Sequence, residues 1–141
     1  MKSMTELLED LERSGILISK HIKTAMEEVD PAEFTDYELD YFWNDKPVPF
    51  LTTDSGASKT ISAPHMIVTM LHHLEIVKGH SILLMGSKGG YISALLNNLV
   101  GENGIITIIE PHEEGRKYTK SKIEEYLESG KMFLNSSNDL E

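Results

Sequence analysis

A glycine-rich turn and one acidic residue are the strongest candidates for ligand binding in this sequence. The turn, residues 86–90, follows the apolar run Ser81–Met85, and Glu110 follows the apolar run Ile105–Ile109. Glycines permit a sharp turn and a close backbone approach to a ligand, and an acid after the second strand can accept hydrogen bonds from ribose hydroxyls. Gly86 and Glu110 are 24 positions apart, close to the ~20 residues typical of dinucleotide sites. The pattern predicts a nucleoside site; the alternative is a tight turn that binds nothing.

A second candidate is the sequence TISAPHM over residues 60–66. A hydroxyl side chain ahead of a proline is typical of a helix start, because the hydroxyl caps free backbone N–H groups and proline fits the first turn. The residues alone therefore predict a helix with Ser62 as its N-cap and Pro64 in its first turn. This interpretation gives Thr60 and Ser62 a structural role only.

Hydrophobic periodicity predicts the elements that position these residues. Two N-terminal helices are expected, the first capped by Ser3 together with Glu6 and the second over residues 19–29. Residues 34–58 have no sustained period and contain prolines and aromatic residues, which predicts an irregular arm. The helix that follows is expected to bury one apolar face, made of Met66, Ile67, Met70, Leu71 and Leu74.

The second half of the chain alternates apolar strands with helices. The strand Ser81–Met85 is followed by a helix over 91–100, the strand Ile105–Ile109, a helix over 113–127 and a short strand that begins at Met132. This order is typical of a parallel sheet, with the strands expected in the order third, second, first. The arm should then cross the carboxyl ends of the strands, where such sheets bind ligands.

The expected fold class is α/β in one compact domain. An α-helical N-terminal region and the arm occupy residues 1–58, and a Rossmann-like portion occupies residues 59–141. The 141 residues agree with a single domain of ~100–200 residues.

Composition excludes several classes of function. The chain has 13 basic and 23 acidic residues, a net charge of −10, which argues against binding to nucleic acid or to an anionic membrane. It has no cysteine, so thiolate metal sites and cysteine nucleophiles are excluded. His65, His72 and His73 are too few to predict a metal site. No apolar run approaches the ~20 residues of a membrane span, and we expect a soluble, cytoplasmic protein.

Several segments together resemble the protein-L-isoaspartate O-methyltransferase family. TISAPHM is similar to the family's T-I-S-x-P segment, and DKPVP over residues 45–49 is similar to its D-x-P-x-P segment. LMGSKGGY over residues 84–91 is similar to E-I-G-T-G-S-G-Y, and residues 100–110 are similar to the run into the family's second acid. The resemblance covers about residues 7–139. It implies a Rossmann-like S-adenosylmethionine-dependent methyltransferase fold, of which this chain resembles the N-terminal half.

The resemblance implies methyl transfer from S-adenosylmethionine to an isoaspartyl carboxylate in a damaged protein. Ser62 would be the hydroxyl beside the methyl-transfer site, with Thr60 near it. Glu110 and Pro111 would contact the cofactor, Glu110 through the ribose, and Asp139 would lie beside the adenine. The turn residues expected to line the cofactor site are Gly86, Ser87, Gly89 and Gly90.

Two departures from the family pattern predict weak cofactor binding. Leu84 replaces the acid that usually ends the first strand, and Lys88 replaces a glycine and adds a positive charge near the sulfonium. A lost buried partner costs ~1–3 kcal/mol. Two alternatives to an active enzyme therefore stay open: a binding or scaffold protein, or fragment, that works with a partner chain, and a nucleotide-binding protein without methyl transfer.

The strand Ser81–Met85 raises a separate expectation. It is apolar on both faces, so both faces should be covered and both edges paired. The chain supplies a partner for one edge, the strand Ile105–Ile109. Because an unpaired apolar edge associates readily with other chains, we expect a homo-oligomer, most simply a twofold dimer.

Overall fold

The structure, a computed structural model, describes residues 2–128. The predicted strand at Met132 and the predicted adenine contact at Asp139 lie outside the described residues. The elements are α1 (Met4–Arg13), α2 (Lys20–Glu28), α3 (Asp40–Trp43), β1 (Val48–Thr52), β2 (Ser58–Ile61), α4 (Pro64–Leu74), β3 (Ser81–Met85), α5 (Tyr91–Val100), β4 (Ile105–Ile109) and α6 (Glu113–Glu128).

The two N-terminal helices form as predicted; α2 packs on α5, and α1 packs on α2. The backbone N–H of Glu6 donates to the Ser3 hydroxyl at 3.2 Å, which is the predicted N-cap. Apolar residues at helical spacing place one face of each helix in the core, namely Leu7, Leu8 and Leu11 of α1 and Ile22, Ala25 and Met26 of α2.

The predicted irregular arm is wrong for residues 34–58. A 3₁₀ turn over Pro31–Phe34 and the short α3 precede an antiparallel hairpin in which Val48 pairs with Ile61 and Thr52 with Ser58. A register shift between Pro49 and Leu51 interrupts the alternation of side chains along this hairpin. The sequence therefore lacks the regular period of two that predicts a strand. The proposed domain boundary after residue 58 falls inside the hairpin.

The start of α4 also differs from the prediction. Its N-cap is Ala63, and Ser62 makes no capping bond. The carboxylate of Asp45, far away in the sequence, accepts the His65 backbone N–H at 2.8 Å and contacts His65 Nδ1 at 3.0 Å. A carboxylate at a helix N-terminus satisfies a free donor and complements the helix dipole, so Asp45 takes the role predicted for Ser62.

We expect Asp45→Ala to lower the free energy of unfolding by about 1–2 kcal/mol, because it removes this cap and places alanine at the positive φ of 59°. Asp45→Asn keeps an acceptor oxygen and tolerates that φ, and should cost less than half as much. Urea denaturation of both variants checks this, and equal losses would show that the carboxylate does not cap α4.

The buried face of α4 is rotated from the predicted one. Its core residues are Ile67, Val68 and Leu71. The other predicted residues, Met66, Met70 and Leu74, are exposed. They recur at a spacing of four, so α4 has a second apolar stripe, which faces solvent in this structure.

The strands β3 and β4 are parallel, as predicted, with Ser81 opposite Ile105 and Met85 opposite Ile109. One face of the pair is buried under α5, through Ile106 and Ile108. The other face is open within residues 2–128: Leu83 is 57% and Met85 75% exposed. Within residues 2–128, β4 is the only strand that pairs with β3. No helix in this part of the chain is long and apolar enough to cross a membrane.

Candidate ligand site at the carboxyl ends of the strands

The turn after β3 and the acid after β4 meet at one edge of the sheet. Ser87, the second residue of the turn, donates its backbone N–H to Glu110 Oε1 at 2.9 Å and its hydroxyl to the same oxygen at 2.8 Å. Glu110 Oε2 accepts the backbone N–H of His112 at 3.1 Å. The two features that the sequence singled out are therefore in direct contact.

Glu110 is a buried carboxylate that its surroundings keep ionised. Only 8% of the residue is exposed, and burial by itself raises the pKa of the carboxyl. The N–H groups of Ser87 and His112, the Ser87 hydroxyl and the charge of Lys59 outweigh burial and hold the pKa below its usual value. Such a group accepts hydrogen bonds strongly and cannot donate one.

The β1–β2 hairpin covers one end of the turn, as the arm was predicted to do. A methyl group placed on Gly89 would lie 3.0 Å from a ring carbon of Phe50, and Gly89 has a φ of +75°. A methyl group placed on Gly90 would likewise lie 3.2 Å from a ring carbon of Phe34. Both glycines are buried. Both make close contacts between backbone and protein side chains, and the ligand contact expected for them stays a prediction.

The start of the turn is open. A methyl group on Gly86 would find no atom within 4 Å, so a ligand can approach the backbone there. Lys88 is exposed and has a φ of +50°, a conformation that costs a non-glycine residue about 1 kcal/mol. Leu84, which replaces the family's acid, is half-buried and packs against the core.

Lys59 and Gly115 complete the surroundings of Glu110. A methyl group on Gly115 would lie 3.6 Å from both Glu110 Oε1 and Lys59 Cε, so the lysine stem and the carboxylate meet over this glycine. Lys59 belongs to β2 and Gly115 to the first turns of α6. The guanidinium of Arg116 donates to the backbone carbonyl of Glu110 at 3.2 Å. The charge of Lys59 therefore lies close enough to act on the carboxylate.

The other predicted site residues lie on separate elements. Thr60 is in β2 opposite Pro49, and Ser62 lies between β2 and α4. Both are half-buried, and among residues 2–128 neither hydroxyl has a hydrogen-bond partner. Pro111 follows Glu110 and is exposed. In the same part of the chain, no three His, Asp or Glu side chains are grouped to hold a metal.

Sequence analysis missed Thr119, whose hydroxyl is 2.7 Å from that of Ser87. Thr119 is fully buried on the face of α6 that also carries Gly115, Ile123 and Tyr126. The one sequence signal for its role was its position: Thr119 is a hydroxyl residue at helical spacing with residues that face the core. Asp45 gave no local signal for its role, because its partner in α4 is 20 positions away.

A family model for protein-L-isoaspartate(D-aspartate) O-methyltransferases matches residues 2–135 of this sequence. The chain belongs to this family. A protein-L-isoaspartate O-methyltransferase from Methanosarcina mazei is 34% identical over 120 residues, which are 84% of this chain and 46% of that relative. Across the curated methyltransferases that it matches, the chain spans about half of their length.

Solved structures of the family confirm the α/β fold. One protein-L-isoaspartate O-methyltransferase superposes with a TM-score of 0.78 at 24% identity, over 94% of this chain and 40% of that one. A second, from Plasmodium falciparum in complex with S-adenosyl-L-homocysteine, gives a TM-score of 0.74 at 21% identity, over 96% of this chain and 62% of that one. The parallel pair, its glycine turn and the terminal acid thus belong to a methyltransferase fold.

Proposed function

We propose that this chain is the cofactor-binding portion of a protein-L-isoaspartate O-methyltransferase. The observation that carries the proposal is Glu110, an ionised carboxylate after β4 that the glycine turn holds through Ser87. Family membership supplies the expected ligand, S-adenosylmethionine, and the relative from Plasmodium falciparum was solved with the demethylated product.

The residues at this edge fit such a cofactor. Glu110 Oε1 already accepts two donors, whereas Oε2 accepts one donor from the described part of the chain, His112 N–H. Because each carboxylate oxygen has two lone-pair directions, Oε2 has one acceptor position left for a ribose hydroxyl. The open side of Gly86 allows the rest of the ligand to follow the backbone. In this proposal Ser87 and Pro111 flank the ligand, and Gly89 and Gly90 shape the turn from inside.

The expected chemistry needs little from acid–base groups. When bound, S-adenosylmethionine supplies a methyl group that the isoaspartyl carboxylate oxygen attacks, and the C–S bond breaks to give a methyl ester and S-adenosylhomocysteine. The carboxylate is already a nucleophile, so this chain would contribute positioning. Ser62, with a hydroxyl that has no partner among residues 2–128, would donate to the substrate carboxylate, and Thr60 would lie beside it.

Leu84, Lys88 and the open face of β3 favour the second candidate, a cofactor-poor family member that works through a protein surface. Three large apolar residues of the strand pair are exposed: Leu83 and Met85 in β3, and Ile105 in β4. We therefore also propose that the chain associates with itself there, as a cytoplasmic dimer. Isoaspartyl proteins are the proposed substrates of the active form.

Calorimetric titration separates the two candidates. We expect S-adenosylhomocysteine and S-adenosylmethionine to bind at a 1:1 ratio, with dissociation constants weakened about ten- to a hundredfold by the loss of a charged partner at Leu84. Leu84→Glu tests this assignment, since it should tighten binding. Transfer of a labelled methyl group to an isoaspartyl peptide, with the aspartyl peptide as control, tests the reaction. An absence of heat with either ligand, in both the natural chain and Leu84→Glu, would contradict the enzyme proposal.

A further inference from the structure

The buried hydroxyl groups of Ser87 and Thr119 are connected to the carboxylate of Glu110 by successive hydrogen bonds. Ser87 is 1% and Thr119 0% exposed, and their oxygens are 2.7 Å apart. Ser87 Oγ is in turn 2.8 Å from Glu110 Oε1. The three residues come from the turn after β3, the end of β4 and the middle of α6, so the cluster joins three elements at the ligand edge.

The chemistry of the acceptor fixes the direction of these hydrogen bonds. An ionised carboxylate only accepts, so the single hydroxyl proton of Ser87 is directed at Glu110. Ser87 then has no proton left to donate to Thr119. The Thr119 hydroxyl must donate to Ser87 Oγ, instead of to a carbonyl one turn earlier in α6 as buried helical threonines often do. The order of donation is Thr119 to Ser87 to Glu110.

From this geometry we infer that Thr119 is a positioning residue, which acts through Ser87 to turn Glu110 Oε1 inward and leave Oε2 for a ligand hydroxyl. Without the Thr119 proton, Ser87 Oγ would be an unsatisfied buried acceptor and a poorer donor, because successive hydrogen bonds strengthen each other. The Ser87 and His112 backbone N–H groups would still hold the carboxylate, but the side-chain bond that helps to fix Oε1 would weaken. We call the chain of hydrogen bonds from Thr119 through Ser87 to Glu110 the relay. The relay itself rests on contacts within the chain, whereas its use in ribose binding rests on the proposed function.

The charge of Lys59 favours the ionised form of Glu110. Lys59 approaches from β2, His112 follows in the turn, where its ring Nδ1 accepts the Gly115 N–H at 3.2 Å, and Arg116 binds the Glu110 backbone carbonyl from α6. Because these groups remain in a Thr119 variant, a change in the pKa of Glu110 would report the relay.

Thr119→Val and Thr119→Ser form a matched pair for the test. Valine keeps the shape and removes the hydroxyl, whereas serine keeps the hydroxyl and removes a methyl group. We expect the Glu110 pKa, followed by NMR of carboxyl-labelled glutamate without any ligand, to rise in Thr119→Val and to stay in place in Thr119→Ser. Affinity for S-adenosylhomocysteine should fall about three- to tenfold in Thr119→Val only. Thr119→Cys, with a weak thiol donor, should be intermediate and serves if valine is not tolerated.

Thr24→Val is the control for a threonine exchange in a helix, since the Thr24 hydroxyl donates to the Lys20 carbonyl at 3.0 Å on an exposed surface. It should change neither quantity. An unchanged Glu110 pKa in Thr119→Val, or equal changes in the valine and serine variants, would overturn the inference. A shifted pKa in Thr119→Val, when no variant binds S-adenosylhomocysteine, would confirm the relay and count against the proposed function instead.

Discussion

Glu110→Ala is expected to weaken binding of S-adenosylhomocysteine by at least tenfold. A hydrogen bond to a charged acceptor contributes about 1.5–3 kcal/mol, and about 1.4 kcal/mol is a factor of ten in affinity. The substitution removes the remaining acceptor position on Oε2 and also the partner of Ser87. Isothermal titration of the variant beside the natural chain measures the effect.

Two further variants separate binding from folding in this experiment. Glu110→Gln keeps an oxygen toward Ser87 but places an amide donor against His112 N–H, so it should lose affinity with a smaller loss of stability. Glu113→Ala is the control: it removes an exposed carboxylate three residues further along the chain, which pairs with Lys117 at 3.1 Å. This variant should bind S-adenosylhomocysteine as the natural chain does. If Glu110→Ala folds and its dissociation constant is unchanged, Glu110 is not in the site.

At micromolar concentration the chain is expected to sediment as a dimer. Within residues 2–128, β3 has a strand partner on one edge only, and Leu83 and Met85 are exposed on its open face. Antiparallel pairing of β3 with its own copy across a twofold axis would satisfy the free backbone groups and cover these side chains. Charge does not oppose this, because Glu75 is the only acidic residue between positions 64 and 100 of a chain with net charge −10.

Leu83→Lys should convert the dimer to a monomer, since a lysine in an edge strand opposes pairing with another chain. Leu17→Lys is the matched control, because Leu17 is also exposed but lies between α1 and α2. Analytical ultracentrifugation over a tenfold range of concentration distinguishes the species. A fully soluble monomer of the natural chain would refute self-association through β3.

Sequence analysis predicted that the turn and the acid of the candidate site lie together, because both follow strands. The carboxyl ends of parallel strands lie at one edge of a sheet, so the residues after Met85 and Ile109 had to be neighbours once the two apolar runs were identified as strands. The same reasoning gave the N-terminal helices, since Ser3 and the spacing of Leu7, Leu8 and Leu11 are local signals.

The features that were missed depend on contacts between distant segments. α4 has two apolar stripes, and periodicity alone cannot decide whether Val68 or Met70 faces the core. The β1–β2 hairpin contains Pro49 and a register shift, which remove the regular alternation that would reveal it. Asp45 and Thr119 act on partners 20 and 32 positions away, and no local pattern encodes such a pair.

The bond between Ser87 and Glu110 also has a consequence for how β3 and β4 find their alignment. Both strands are almost uniformly apolar, SILLM against IITII, so a slip by two residues would keep every side chain on its proper face and cost little hydrophobic contact. Such a slip would move Ser87 by about 6.6 Å relative to Glu110 and leave a buried carboxylate without the two donors that Ser87 supplies. Several alignments of the two strands would bury similar apolar surface, and the hydrogen bonds between Ser87 and Glu110 favour one of them. Misaligned chains would therefore be disfavoured during folding, before any ligand is present.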